Sequence, residues 1–284
     1  MLVRTVSGAV YVAILVGFFL LRSLSPLFFT AFIWFLSFMG AFEVARAVKN
    51  FSVKGGFLLA IIFGALFVPV YTLFEYFFSG YGFLFALSLA AIYVSAIGVY
   101  TAIIKSGAKS FGVAVLPVLY PALLLLSMLC INDFADDKGL IALILVFVIS
   151  PCADVMAYLT GMTWSKIKKG NVKKLCPKLS PKKTVAGAIG GVIGGAIGGL
   201  IVYFIFKQAA DALVEFMPAA IYFILVGLVG SILTEIGDLF ESGIKRKAGI
   251  KDMGKIMPGH GGVMDRIDGT VFCAVMVCFA FLFL

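Results

Sequence analysis

Thr184-Val-Ala-Gly-Ala-Ile-Gly-Gly-Val-Ile-Gly-Gly-Ala-Ile-Gly-Gly-Leu-Ile-Val-Tyr-Phe-Ile-Phe206 is a run of 23 residues without a charge, closed off by Lys183 and Lys207. As a helix it would rise roughly 35 Å, enough to cross a hydrocarbon core of about 30 Å. Gly187, Gly191, Gly195 and Gly199 repeat every fourth residue, with Gly190, Gly194 and Gly198 alongside. Such a stripe lets a second helix approach closely. It continues too far into an apolar helix to be a phosphate-cradling loop, so the stretch reads as a spanning helix packed on a neighbour.

The rest of the chain agrees. Of 284 residues, 62% are hydrophobic and 13% charged, against roughly 45–50% and 25% in an average globular protein. Twenty-nine Phe exceed what one aqueous core could hide, and a mean hydropathy of +1.13 excludes disorder. The expected fold is an all-α polytopic membrane protein with nine spans, near 6–22, 25–47, 56–78, 82–104, 111–132, 138–162, 184–206, 217–243 and 265–284. No small-residue cleavage site follows the first apolar run, which therefore reads as an uncleaved span.

The net charge of +9 would suggest nucleic acid on a soluble chain; here it first reports sidedness. Nine spans place 20 of the 23 cations on one side and leave Arg22, Lys138 and Lys207 on the other. The positive-inside rule then puts the N-terminus in the cytoplasm and the C-terminus outside, in a cell inner membrane. The five Cys form no CxxC pair and read as small hydrophobes, without disulfides or zinc.

Two regions emerge. Residues 1–150 read as packing: N-terminal spans that face lipid and offer a surface for a homodimer. Residues 151–284 carry the long basic loops and the membrane-depth carboxylates, and are expected to do the chemistry. Within Ser231-Ile-Leu-Thr-Glu235-Ile-Gly-Asp238-Leu-Phe-Glu241-Ser242, three acids at i, i+3 and i+6 share one helix face. A charge at mid-membrane costs about 2.5–3.5 kcal/mol, so the three need partners. A ladder of ion pairs is one reading, and Glu241 with Lys245 at i, i+4 suits it. Asp238 has no cation within a turn, and Mg²⁺ with a phosphate ligand is the other reading. Asp154, one turn before Tyr158, is a further membrane-depth acid; a helix–helix hydrogen bond is its alternative. Asp265-Arg266-Ile-Asp268 opens the last span after a Gly-rich loop, as a metal or phosphate site or as helix caps.

Two basic loops accompany these acids. Lys166, Lys168, Lys169, Lys173 and Lys174 form a solvated face suited to anionic headgroups. Ser180-Pro-Lys182-Lys183-Thr184 instead stands at a helix N-terminus, where backbone N–H groups, ammoniums and hydroxyls converge on a phosphate. From Ser242 to Gly262, cations sit among glycines, and the only His of the chain, His260, directly precedes Gly261-Gly262.

These residues resemble a known family. Ser242, Ile244, Lys245, Arg246, Lys251, Asp252, Gly254, Pro258, His260, Gly261, Gly262, Val263, Asp265, Arg266, Ile267 and Asp268 follow the signature of phosphatidate cytidylyltransferases, with Met257 the one departure. Asp154-Val-Met-Ala157-Tyr158 and Ser180-Pro-Lys-Lys-Thr184-Val-Ala186-Gly187 resemble two further blocks of that family, Ala186 replacing its Glu. The resemblance implies a Mg²⁺-dependent enzyme, with room for a second cation, that converts CTP and phosphatidic acid to CDP-diacylglycerol and pyrophosphate at the cytoplasmic membrane surface. It implies Asp238 and Asp265 as metal ligands, with Asp268, Glu235 and Asp154 as further ligands or their supports. It implies catalytic roles for Lys245, Arg246 and His260. Substrate contacts are implied for Ser180, Lys182, Lys183, Thr184, Ser242, Lys251, Gly261, Gly262 and Arg266. Competing readings are a CTP-dependent enzyme with an isoprenoid alcohol or archaeal-type lipid phosphate as acceptor, and a cation-coupled transporter. The Asp-Gly-x-x-Ala-Arg motif of CDP-alcohol phosphotransferases is absent, and nucleic acid is no longer a sensible partner.

Overall fold

The computed structural model describes residues 2–259 and 261–284; the side chains of residues 2–5 and of residue 136 are set aside. The helices are α1 (Leu2–Arg22), α2 (Pro26–Val48), α3 (Gly56–Phe77), α4 (Gly82–Ile103), α5 (Gly107–Pro117), α6 (Leu123–Asn132), α7 (Asp136–Ile167), α8 (Val185–Ile205), α9 (Lys207–Leu213), α10 (Ala219–Ala248) and α11 (Met264–Leu282). Among the described residues seven helical segments, with Gly107–Asn132 counted as one, are long and apolar enough to cross a membrane, which makes the chain a largely helical polytopic membrane protein. Helices also stand where the other two spans were expected. Of these, α1 has a shorter apolar stretch, Val6–Arg22, and α11 carries Asp265, Arg266 and Asp268 in its first turns.

Two local corrections follow from proline and from basic residues. The expected fifth span, 111–132, stands as one apolar helical segment, Gly107–Asn132, but it is kinked between α5 and α6. Pro117 and Pro121 lack the N–H that a continuous helix needs, and the residue before a proline is pushed out of the helical region; Tyr120 accordingly sits at φ −139°, ψ 112°. The fold is also not purely helical. Lys174–Cys176 (β1) and Ser180–Thr184 (β2) pair as an antiparallel hairpin, with Cys176 opposite Ser180 and Lys174 opposite Thr184.

The chain forms two compact units: Met1–Asn132 with Lys247–Ile267, and Asp133–Arg246 with Asp268–Leu284. Position 150, the expected dividing point, lies within α7.

In the first unit α2 is the central helix, burying Phe29, Ile33, Leu36, Gly40, Ala41 and Val44. Ser25 caps it, its hydroxyl accepting from Leu27 N, and Pro26 supplies the preset first helical residue. Buried Asn132 at the end of α6 ties the hairpin of α1 and α2 together. It accepts from Arg22 Nε at 2.8 Å and donates to Pro26 O and Thr30 Oγ1, each at 3.1 Å.

In the second unit the glycine stripe of α8 is used on two faces. Gly190, Gly194 and Gly198 lie on Thr160, Met156 and Cys152 of α7, while Gly195 and Gly199 lie on Gly227, Ser231 and Phe223 of α10. Helix α10 is 30 residues long. Counted from Ala219 at about 1.5 Å per residue, Asp238 lies roughly 28 Å along it, near the far edge of a hydrocarbon core of about 30 Å.

Candidate active site

A cavity of about 710 Å³ opens in the second unit between α7, the β-hairpin, α8 and α10. Asp154, Tyr158 and Gly161 line it from α7, Lys182 and Lys183 from β2, and Glu235 and Asp238 from α10. Local structure explains each placement. Thr184 ends β2 and caps α8, its Oγ1 accepting from Gly187 N at 3.0 Å. Gly161 faces Gly187 at this crossing; a Cβ on Gly187 would stand 3.0 Å from the Ala157 carbonyl. The pair of glycines thus brings the hairpin and its lysines against the acidic face of α10.

Asp238 is not without a cation, contrary to the spacing argument. Lys183 Nζ lies 2.6 Å from Asp238 Oδ2, a partner contributed by the hairpin rather than by α10. Ser242, one turn on, donates to Asp238 Oδ1 at 3.3 Å. Glu241 behaves as the ion-pair reading expected: its side chain is fully buried and paired with Lys245. Asp268, at the start of α11, accepts from Gly269 N at 2.8 Å. Glu235 has its Oε1 buried with no hydrogen-bond partner among the described residues. Arg246 Nε donates to Leu179 O at the hairpin turn, 3.3 Å away. Ser180 lies in the β2 ladder opposite Cys176.

The signature loop between α10 and α11 belongs to the other unit. Lys251, Lys255, Gly261 and Arg266 line an open pocket of about 600 Å³. Asp265 braces the loop: its Oδ2 accepts from Met253 N and from Gly262 N, both at 2.8 Å. Gly261 adopts φ +91°, a conformation side chains disfavour, and exchanges backbone hydrogen bonds with Met257 at 2.9 and 3.1 Å. His260, expected to be catalytic, lies outside the described residues. Asp265 and Asp238, expected as metal ligands, belong to different units.

Sequence reasoning missed two residues of α2. Glu43, 1% exposed, accepts from Val263 N at 3.1 Å and Met264 N at 2.9 Å. Arg46 donates to Met253 O at 2.8 Å. The available signal was an acid inside an otherwise apolar span, a costly placement that asks for a buried partner.

Among the described residues no three His, Cys, Asp or Glu side chains converge to hold a metal by themselves. Mg²⁺ keeps waters and is commonly held by one or two carboxylates together with substrate phosphates. Glu235, with its buried unpartnered oxygen, and Asp238 on the same cavity fit such a site.

Comparison with known proteins extends the picture over the whole chain. Residues 2–284 match the model of the Cytidylyltransferase family. The phosphatidate cytidylyltransferase of Helicobacter pylori strain J99 is 31% identical over 272 residues, covering 96% of this chain and 88% of that protein. Its counterpart in strain 26695 is 31% identical over 231 residues, 81% of this chain and 75% of that protein. The phosphatidate cytidylyltransferase of Mycobacterium bovis is 55% identical over a 51-residue segment, 18% of this chain and 17% of that protein.

Proposed function

The chain belongs to the cytidylyltransferase family, and from that premise we propose that it is a nucleotidyltransferase joining CTP to phosphatidate. A phosphate oxygen of phosphatidate attacks the α-phosphorus of CTP. The bond from that phosphorus to the α–β bridging oxygen breaks, and pyrophosphate leaves with the electron pair. CDP-diacylglycerol stays in the bilayer.

Such a transfer needs reactants held in line and negative charge neutralised, rather than a covalent intermediate on the protein. The observation that carries the reading is the cavity near the end of α10, which Lys182 and Lys183 share with Asp154, Glu235 and Asp238 above apolar walls. Lys182 and Lys183 neutralise phosphate oxygens there. Tyr158, Ala157 and Met162 give the wall against which the glycerol end of the lipid rests. Glu235 and Asp238 hold Mg²⁺, which supplies charge neutralisation on the phosphates when bound. Lys245 stays with Glu241 and keeps that acid from competing for the cation. In the signature loop, Lys251 and Arg266 contribute positive charge for phosphates, and Asp265 keeps the loop folded. With 20 of 23 cations assigned to one side, the site faces the cytoplasm of a cell inner membrane. The exposed Leu58, Ile62 and Leu66 of α3 meet lipid or a second copy of the chain.

The test uses purified protein in mixed micelles with CTP labelled at the α-phosphorus. Label enters the chloroform phase when phosphatidate and Mg²⁺ are present, and pyrophosphate is released in equal amount. Incorporation into a polyprenyl acceptor but not phosphatidate would overturn the acceptor assignment. No lipid-soluble label with either would overturn the activity.

A further inference from the structure

We infer that Glu43 and Arg46 of α2 are positioning residues for the signature loop, so that an N-terminal span sets the geometry of a C-terminal substrate-binding segment. The inference rests on the proposed reading of that loop as a phosphate-binding element. The two residues stand at i and i+3, hence on one helix face, and they grip the loop at both ends. At its far end, the Glu43 carboxylate accepts from the backbone amides of Val263 and Met264. These are among the otherwise unsatisfied amides where α11 begins. At its near end, the Arg46 guanidinium donates to the carbonyl of Met253.

Asp265 closes the frame from within, joining Met253 N and Gly262 N through one oxygen. The loop from Met253 to Asp265 is therefore held by five hydrogen bonds to three side chains, two of them on α2. Packing supports the same assignment. A Cβ on Gly254 or on Gly262 would strike the Glu43 carboxylate, so the carboxylate fills the space these two glycines leave. The close approach permitted at Gly262 is used by Glu43.

A buried charge accepting amide hydrogen bonds is costly to leave half-satisfied. Replacing Glu43 by Gln keeps its shape while removing the charge and one acceptor. Lys251 and Lys255, which flank Met253, Gly254 and the α2 contact, act as built-in reporters because trypsin cuts after them only when the loop opens.

The experiment compares wild type, Glu43→Gln, Arg46→Gln and Glu75→Gln in detergent, timing tryptic cleavage by mass spectrometry. Cleavage after Lys168, Lys169 and Lys173, in the other basic loop, serves as an internal clock. Glu75 is the control, because it too accepts from two amides, Gly80 N and Gly82 N, at the turn between α3 and α4. Relative to the clock, Glu43→Gln and Arg46→Gln should each speed cleavage after Lys251 and Lys255 about tenfold, the effect of one charge-assisted hydrogen bond. Turnover of CTP should fall by a similar factor, with Glu75→Gln unchanged in both respects.

Unchanged loop cleavage in both α2 variants overturns the inference. So does acceleration equal at both basic loops, which would mean general loosening. If Glu43→Gln does not accumulate as folded protein, Arg46→Gln decides alone. A wild-type protein inactive on every lipid refutes the proposed function but leaves the cleavage comparison standing.

Discussion

Gly237→Ala adds one methyl group beside Asp238 and should disable the enzyme while sparing its fold. At Gly237 the added Cβ would lie 2.5 Å from the Asp268 carbonyl oxygen, 2.7 Å from a Phe272 ring carbon and 3.0 Å from Gly269 Cα. Nonbonded carbon atoms settle near 3.5–4.0 Å, so α10 and α11 must part locally by about 0.5–1 Å. Two of the three obstacles are backbone atoms and cannot rotate away. Overpacking of this kind costs about 1–3 kcal/mol, and replacing Gly by Ala within a helix returns roughly 1 kcal/mol. The net loss is about 0–2 kcal/mol, a drop of a few degrees in Tm. The displacement matters more for chemistry, because a misplacement of about 1 Å at a transfer site can cost roughly 100-fold in rate. Asp238, the next residue, moves with its helix. The assay is CDP-diacylglycerol formation at saturating CTP, beside thermal unfolding of the same preparation. Gly243→Ala, six residues along α10, meets nothing within 4 Å and should keep full turnover with equal or higher Tm. Wild-type turnover in Gly237→Ala, or equal losses at both positions, would refute the reasoning.

Lys183→Met leaves Asp238 without its hairpin cation and should lower stability by about 1–2 kcal/mol, between the values for exposed and buried pairs. Asp238→Asn in the same chain should recover most of that loss, read as a coupling energy from the four melting curves, with both single variants inactive. Glu235→Gln should raise the Mg²⁺ concentration for half-maximal turnover about tenfold or more, measured by Mg²⁺ titration at fixed CTP; an unshifted titration removes Glu235 from the cation site. Asn132→Ala deletes three buried hydrogen bonds at about 1 kcal/mol each and should lower stability by about 2–4 kcal/mol; kcat measured well below the melting temperature should remain that of wild type.

Helices were legible because their signal is additive: twenty apolar residues outweigh any local detail, and each of the nine expected spans has a helical counterpart. What stayed hidden depended on one or two residues. Pro117 and Pro121 sit inside an apolar run whose hydropathy does not register a missing N–H, so the kink between α5 and α6 was not anticipated. The hairpin of Lys174–Cys176 with Ser180–Thr184 lies in a stretch of lysines that any charge-based reading leaves as solvated loop. Its pairing is nonetheless what carries Lys183 to Asp238.

The site residues divide in the same way. Those with chemistry in their own side chains, such as Asp238, Lys183 and Glu235, could be picked out by the cost of placing them near a membrane. Glu43 carries an equal cost, but its partners are the backbone amides of Val263 and Met264, 220 and 221 positions away. An amide leaves no mark in a sequence, since every residue except proline has one. A buried acid in a span must therefore be read as a demand for donors even where no cation is in view. Applied to Phe42-Glu43-Val44-Ala45-Arg46, that rule asks for backbone donors from another segment, and the structure supplies them from the end of the signature loop. The loop that carries Lys251, Asp265 and Arg266 folds with the N-terminal helices, and its hydrogen bonds to Glu43 and Arg46 tie it to residues in the first fifty positions.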